Sequence, residues 1–587
     1  MWTIRVNMTD RTYKVQETPE KYKFLAGRAM TSTFVADEVP PLCHPLGPNN
    51  KLVFSPGITT GTPAPTSARV SVGAKSPLTG GIKESNAGSP WAADLADMRV
   101  RALVIEGQPK EKGKFWGLQL TWDKAAGKPK LDFFDATPYA RQPLAEVFPK
   151  LYDKFGKKIA ISGCGLASEY GCSNSGIVFN DMSDRATRYA GRGGMGSVLA
   201  SKGVKLIILD RQGAPGVEIV DKALFEEGVK KMTDALRTHA ITKPKGTLNS
   251  YGTAALINVL NEAGGLPTRN FSSGRFEGAA KIAGEAIFAG IKERTGKETY
   301  NHACSPGCII QCSNTWFAQD LTEIASCVEY ESAWALGADC GIDSLDDVAE
   351  MIRLCNTYGF DTIETGTTIA VAMEAGVIPF GDGKGAINLV HEMGKGTPLG
   401  RILGSGTETT GKVYGVTHVP VVKGQSMPAY EPRAVRGIGI TYATTPMGAD
   451  HTAGYTIAPE ILGVAGKVDP LSNEGKAALS RNFQTATAFI DSSGHCLFIA
   501  FAILDIASGF QGMIDEANGV FGTNWTADDV TAYGVAVLKK ERAFNEAAGI
   551  REQADRVPEF MRTEPLPPHN QVFDIPDEAL DSVFKEL

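Results

Sequence analysis

Apolar and polar residues alternate from the first residue on. The segment MWTIRVNMTDRTYKV (1–15) has the two-residue period of a strand. Short β-branched runs at 51–54, 68–72, 102–106 and 204–209 continue that reading, separated by Gly, Pro and Ser clusters. The stretch SPGITTGTPAPTS (55–67) holds too much Pro, Gly and Thr for a helix. From about Asp221 the period changes. Residues 223–236, 253–263, 346–358 and 367–375 carry apolar side chains at i, i+3 and i+4; Leu345, Val348, Met351, Ile352 and Cys355 mark one such face. The same period returns at 477–490, 500–505, 527–546 and 576–584. Strands first and helices afterwards predict an α+β fold rather than a doubly wound sheet. The expected organisation is a β-rich part over 1–210 and two mainly helical parts over 211–420 and 421–587. TEPLPP (563–568) is expected to be an extended surface arm, and no 20–50-residue repeat is present.

The most apolar run, 496–510, is interrupted by Asp505 and falls short of the ~20 residues a membrane span needs. A buried core helix is expected there. The N-terminus shows neither an apolar h-region nor a small-residue cleavage site, so an unprocessed cytoplasmic protein is expected. With 59 Lys plus Arg against 66 Asp plus Glu the net charge is −7, and no basic run is present. Nucleic-acid binding, which needs a clustered positive excess, is excluded. A composition 43% hydrophobic and 21% charged excludes disorder. The 65 glycines in 587 residues exceed the usual ~7%, which implies many tight turns or backbone pressed against a ligand.

Ten cysteines in a chain expected in a reducing compartment are metal ligands, catalysts or core residues rather than disulfides. NHACSPGCIIQCSN (301–314) spaces Cys304, Cys308 and Cys312 at C-x3-C-x3-C, and Pro306 and Gly307 force a turn. Thiolates on tight loops can converge on one metal centre. An ordinary cubane needs four cysteines, and Cys496 in DSSGHC is a distant fourth. The spacing leaves three readings open: an iron–sulfur centre, a structural zinc site with His302 as a further ligand, and buried core thiols. Cys43, Cys164, Cys172, Cys327, Cys340 and Cys355 have no partner spacing and read singly as small core residues.

RYAGRGGMG (188–196) stands before the strand at 204–209 and offers Arg188 and Arg192 as forked phosphate donors. A dinucleotide fingerprint needs strand, glycines and then helix, and the glycines here precede the strand. A bare turn and an anionic-cofactor site both remain. TGGIKESNAG (79–88) is a second flexible segment, with Asn86 and Gly88 near its end and Arg69 upstream in SARVSVG. NTYGFD (356–361) and DSSGHC (491–496) share a layout: a polar side chain, a Gly three residues on, and an acid or thiol five residues on. Such turns at helix ends serve as caps or hydrogen-bond the edge of a heterocycle.

SARVS (67–71), SPLTGG and SNAG (76–88), AGRGGMGSVLASK (190–202), the three spaced cysteines, VEYES (328–332), CNTYGFDTIETG (355–366), GADHT (448–452) and DSSGHC follow one another in order. Together they resemble the tungsten-dependent aldehyde:ferredoxin oxidoreductase family over essentially the whole chain. The resemblance implies tungsten, or else molybdenum, held by the dithiolene sulfurs of two pterins where the three parts meet. It implies a [4Fe–4S] cluster on Cys304, Cys308, Cys312 and Cys496. Asn356, Asp361 and Asp491 would hydrogen-bond the pterins. Arg69, Asn86, Gly88, Arg188 and Arg192 would face their phosphates and a bridging Mg2+. The first cysteine pair, often C-x2-C in the family, is C-x3-C here. Asn356 stands where Asp is frequent, keeping an acceptor without the charge.

Glu331 and His451 match the family's positions for proton chemistry. Apart from the match, Glu331 beside Glu329 reads as a solvated helix face and His451 as a loop histidine. His495, next to Cys496, is a candidate to tune the cluster or relay protons. The implied activity is oxidation of aldehydes to carboxylic acids, with electrons leaving through one cluster to a ferredoxin or an iron–sulfur subunit. A flavin subunit is a further component to expect, since the chain shows no flavin or nicotinamide motif. An oligomer or hetero-complex follows. The alternative within the family is the catalytic subunit of an aromatic acyl-CoA reductase, with Cys327 or Cys340 reaching the metal. From another class comes a non-catalytic metal-binding scaffold.

Overall fold

In the first strand Ile4 and Val6 are buried, while Arg5 between them bonds Glu38 and Glu106 at 2.8 Å each. The two-residue period is therefore that of a strand with one face in a core. The computed structural model describes residues 1–297, 301–585 and 587. The strands β1 (Trp2–Asn7), β2 (Thr12–Glu17), β3 (Leu52–Pro56), β4 (Arg69–Lys75), β5 (Ile82–Gly88) and β6 (Val100–Glu106) form one sheet in the order β2-β1-β6-β3-β4-β5. In it β1 and β6 run parallel and the other neighbours antiparallel. A second sheet holds β7 (Trp116–Asp123), β8 (Lys128–Asp135), β9 (Ala160–Cys164), β10 (Ile177–Asn180), β11 (Ala186–Ala190) and β12 (Val204–Asp210), in the order β11-β10-β9-β12-β7-β8. The two sheets share one core. Trp91 sits within it, 5.5 Å from the Phe54 ring and 5.2 Å from that of Phe179.

The helices that matter for the site are α1 (Gly27–Glu38), α2 (Met195–Ser201), α3 (Lys222–Thr238), α4 (Tyr330–Ala335), α5 (Leu345–Tyr358), α6 (Thr362–Glu374), α7 (Lys476–Ser493), α8 (Ala507–Phe521) and α9 (Ala527–Ala547). After β12 the described chain is mainly helical, so the α+β architecture read from the sequence is the one observed. The first sheet's second face is covered by α1, through Met30, Phe34 and Val35. The opposite side of α1 meets α7 and α9 through Ala29, Ala488, Val537 and Leu538. Helices α3 and α8 pack backbone to backbone: a Cβ on Gly228 would come within 2.8 Å of the Gly512 carbonyl oxygen. Large side chains could not hold these axes so close. One large core spans the helical residues on both sides of position 420.

Four local expectations change. Residues 82–88 are not a flexible segment but strand β5, paired in register with β4. A strand, β11, does precede the glycines at 191–194, and the short α2 follows them. The parallel crossover of a dinucleotide unit is still absent, because β11 and β12 run antiparallel in their sheet, separated by β10 and β9. The apolar run at 496–510 is not one helix: Ile506, at φ −122° and ψ 98°, separates a short helix (Ala500–Asp505) from α8. The segment TEPLPP begins in a helix end and turns back, Leu566 bridging to Gln571, rather than running as an extended arm. No helix among the described residues is long and apolar enough to cross a membrane.

Candidate active site

Between the sheets and the helices lies a cavity of about 400 Å³. All thirteen side chains singled out as candidate site residues, and Gly88 with them, line it. Strand register brings the first group in. Arg69 pairs with Gly88 and Ser71 with Asn86 across β4 and β5. The Arg69 guanidinium donates to Asn86 Oδ1 at 3.0 Å and to Cys496 Sγ at 3.1 Å. The C-x3-C-x3-C loop closes over the same strands: a Cβ on Gly88 would lie 3.5 Å from Cys304 Sγ. Cys304, Cys308, Cys312 and Cys496 all line the cavity.

The two polar turns are helix ends. α5 stops at Tyr358 with Gly359 left-handed at φ +89°, and α7 stops at Ser493 with Gly494 at φ +93°. Only glycine takes that conformation at little cost. Gly359 packs on Gly165 and Gly494 on Gly57, backbone against backbone. Asp361 then caps α6, accepting from the backbone N–H groups of Ile363 (3.2 Å) and Glu364 (3.1 Å). Its Oδ2 lies 3.4 Å from Arg192 Nε. Asn356 donates through Nδ2 to the Ser326 carbonyl at 3.1 Å. Asp491 pairs with Arg28 at 3.2 Å. Burial pushes the Asp361 carboxyl up and that of Asp491 to about 6.

Both arginines of the glycine-rich segment face the cavity. Arg188 donates to Cys327 Sγ at 3.3 Å and to Ser313. Arg192 donates to the Ser426 carbonyl (2.7 Å) and the Ala449 carbonyl (3.0 Å). Their Nε–H groups are buried without a hydrogen-bond partner. Glu331, in the first turn of α4, also lines the cavity and accepts from the Ala429 N–H at 3.0 Å through Oε2. Its Oε1 lies 3.3 Å from His451 Nε2. Glu331 is therefore half-buried against the cavity rather than on a solvated helix face. Burial pushes its carboxyl up to about 8 and holds the His451 imidazole down at about 4. Glu331 Oε1 and His451 Nδ1 have no hydrogen-bond partner.

A family model described as the aldehyde ferredoxin oxidoreductase N-terminal domain matches residues 3–211, and one for domains 2 and 3 matches residues 227–587. The chain belongs to the aldehyde ferredoxin oxidoreductase family. The tungsten-containing aldehyde ferredoxin oxidoreductase of Pyrococcus abyssi is 34% identical over 587 residues, covering 96% of this chain and 91% of that protein. That of Pyrococcus furiosus is 33% identical over 584 residues with the same coverage. The aliphatic sulfonate oxidoreductase WOR-like subunit of Pyrococcus furiosus is 23% identical over 606 residues, covering 96% and 89%. Among solved structures, the active-site complex BamBC of benzoyl coenzyme A reductase with 1,5-dienoyl-CoA superposes with a TM-score of 0.79 over 100% of this chain and 94% of that one. At 16% identity that likeness concerns the fold.

In this member of the family, further side chains reach the cavity that motif reading passed over. Lys83 pairs with Asp450 at 2.9 Å and, with Arg192, holds the Asp450 carboxyl low against its burial. Glu84 lines the cavity beside Arg28, its carboxyl pushed up to about 8 by burial. Tyr330, Tyr430 and Tyr455 form part of the wall around Glu331. Of the cysteines read as core residues, Cys164, Cys172 and Cys355 are buried and Cys43 half-buried. Cys327 lines the cavity, whereas Cys340 turns away, donating to the carbonyls of Ala335 and Gly366. His495 pairs with Glu516 at 2.9 Å, both fully buried.

The residues present fit a phosphate-bearing cofactor and an iron–sulfur cluster. The buried Arg188 Nε–H, without a hydrogen-bond partner, asks for an anion. The glycine at 88 leaves room next to a thiol. A hydrogen bond with Cys308, and then the charges of Arg188 and Arg69, pull the Cys304 thiol well below its ordinary range, as a thiolate ligand requires. Among the described residues no group of three or more His, Cys, Asp or Glu gathers as a single metal ion would need.

Proposed function

We propose that the chain oxidises aldehydes to carboxylic acids at a tungsten bis-pterin. The observation that carries the reading is the Glu331–His451 pair, facing the same cavity as four cysteines and two buried arginines. Cys304, Cys308, Cys312 and Cys496 would hold a [4Fe–4S] cluster. Asn356, Asp361 and Asp491 would hold the pterin edges. Arg69, Asn86, Gly88, Arg188 and Arg192 would hold the phosphates and their Mg2+. The three parts over 1–210, 211–420 and 421–587 would each contribute one wall. When bound, the metal centre would accept the two electrons and the cluster would pass them singly to a ferredoxin or an iron–sulfur subunit, in a cytoplasmic complex.

The reaction takes one water and releases two protons and two electrons for each aldehyde turned into an acid. Glu331, its carboxyl raised to about 8, is a stronger base than an ordinary carboxylate. Its unpartnered Oε1 accepts a proton from the attacking oxygen. His451 is neutral at pH 7, since burial holds it near 4. In the tautomer with Nδ1–H it polarises the aldehyde carbonyl, and the proton taken from the attacking oxygen stays on Glu331, the stronger base of the two. Lys83 pairs with Asp450 and Arg192 donates to the Ala449 carbonyl, and together they fix the loop bearing His451.

Elemental analysis of anaerobically purified protein tests the reading, followed by aldehyde-dependent dye reduction. About one tungsten and about four irons per chain, with aldehyde-dependent turnover, are expected. Zinc alone would turn the four cysteines into a structural site and sink it.

A further inference from the structure

Aromatic rings line one side of the cavity, starting at Glu331. Tyr330 and Tyr430 have ring centroids 5.4 Å apart, and Tyr430 lies 5.7 Å from the His451 ring and 5.6 Å from Tyr455. Tyr455 is 6.1 Å from Phe501, which stacks on Phe498 at 5.8 Å and an interplanar angle of 13°. Tyr330, Tyr430, His451, Tyr455 and Phe498 all border the cavity itself. The series begins in the core, where Tyr330 and Tyr430 are buried, and ends at Phe498, which is half-buried.

The hydroxyls on this wall are engaged within the protein. Tyr330 donates to the Ala429 carbonyl at 2.6 Å, and the Tyr430 and Tyr455 hydroxyls bond each other at 2.8 Å. Ring faces and edges are what remains. The cations that act on Glu331 and His451, Arg192 and Lys83, are already engaged with Asp361 and Asp450. A buried, uncharged aromatic wall recognises planar apolar groups by offset or edge-to-face contact.

Resting on the aldehyde-oxidising reading, we propose that this ring wall makes the site selective for aromatic aldehydes, with Phe498 as the residue that holds the aryl group. An aromatic ring attached to the carbonyl carbon then lies along Tyr430 and Tyr455 while the carbonyl oxygen meets His451. Charged aldehydes, such as those carrying a second carboxylate, find no partner on this wall and are poor substrates.

The test compares kcat/KM for benzaldehyde and acetaldehyde in the tungsten-loaded holoenzyme, for wild type, Phe498→Ala and Phe498→Tyr. The change in the ratio between variants cancels the intrinsic reactivities. The benzaldehyde-to-acetaldehyde ratio is expected to fall roughly tenfold in Phe498→Ala, the size of one aromatic contact with its buried area. Phe498→Tyr restores it. A second readout needs no turnover: benzamide, an unreactive aryl carbonyl, raises the thermal midpoint of the wild type more than acetamide does, and the difference vanishes in Phe498→Ala. An unchanged ratio with aldehyde oxidation intact overturns the proposal, as does equal stabilisation by the two amides. If neither aldehyde is oxidised, the aldehyde-oxidising reading fails instead, and the amide comparison still decides whether the wall selects aryl groups.

Discussion

Glu331 carries opposite demands of function and stability in one side chain. Ala429 N–H and the Arg192 charge favour its ionised form, while burial, Asp450 and Asp361 oppose it, and burial wins. A base must be deprotonated to act, so kcat/KM of the holoenzyme should rise with pH through about 8. Replacing the carboxylate in Glu331→Gln should cost roughly 10²–10⁴ in kcat and remove that rising limb, as general-base catalysis predicts. Stability runs the other way. The folded-state value lies above the ordinary 4.5, so its contribution is full below 4.5 and is lost as pH rises through about 8. Glu331→Gln, which cannot ionise, should therefore melt higher than the wild type near pH 9 and gain little near pH 4. Thermal unfolding of the cofactor-free protein at the two pH values reads this. A variant that loses both activity and stability at high pH would mean that Glu331 is a structural partner rather than a base.

At the scale of elements, what could be read in advance depends on which way polar residues face. Helices with a clean apolar stripe, such as α3, α5 and α7, lie where the period places them. Strands β5 and β11 escaped because Lys83, Glu84, Asn86 and Arg188 point into the cavity instead of solvent. Their polar residues break the pattern that identifies a buried strand. The sequence rule thus fails where the site is built, as expected for functional residues. The two helix-end turns were legible because a left-handed glycine leaves a mark in any sequence. Gly494 makes that mark testable. At φ +93° an added Cβ would sit 2.4 Å from Thr60 Oγ1 and 3.0 Å from the Gly57 Cα. A left-handed non-glycine residue costs ~1–2 kcal/mol before any clash. Gly494→Ala should lower the thermal midpoint by several degrees and reduce the iron recovered per chain, because Cys496 follows two residues later. Gly463→Ala supplies the comparison. It is also left-handed, at φ +67°, but has nothing within 4 Å, so it should lose stability through backbone strain alone and keep its iron.

Across the whole molecule, the site is assembled from residues that no local spacing could link. Arg28, Lys83, Glu331, Asp450 and Asp491 come from both ends of the chain, and only folding puts them around one cavity. Arg28 shows how the ends are tied. From α1 it donates through Nε to Glu541 Oε1 at 2.9 Å and through Nη2 to Glu541 Oε2 at 2.8 Å, both on α9, and its Nη1 reaches Asp491 at 3.2 Å. Ser32, one turn along α1, donates to the same Glu541 oxygen at 2.7 Å. The guanidinium is almost wholly buried, so its geometry is bidentate and shielded from salt. A buried pair of this kind is a weak source of net stability but a strong source of penalty when one partner is removed. Glu541→Ala should therefore destabilise the chain by roughly 3–5 kcal/mol, the cost of an uncompensated buried charge. Glu541→Gln, which keeps one acceptor for Arg28, should lose less. The double variant Arg28→Met with Glu541→Leu should recover much of the loss, because no charge is then left unpaired. Asp491 would still lack its cation in that variant, so the turn at 491–496 should stay impaired while the fold is restored. Thermal unfolding alongside the tungsten content of each variant separates the two effects. If the double variant regained both stability and full tungsten content, Arg28 would serve only to join α1 to α9 and would have no part in holding Asp491 at the site.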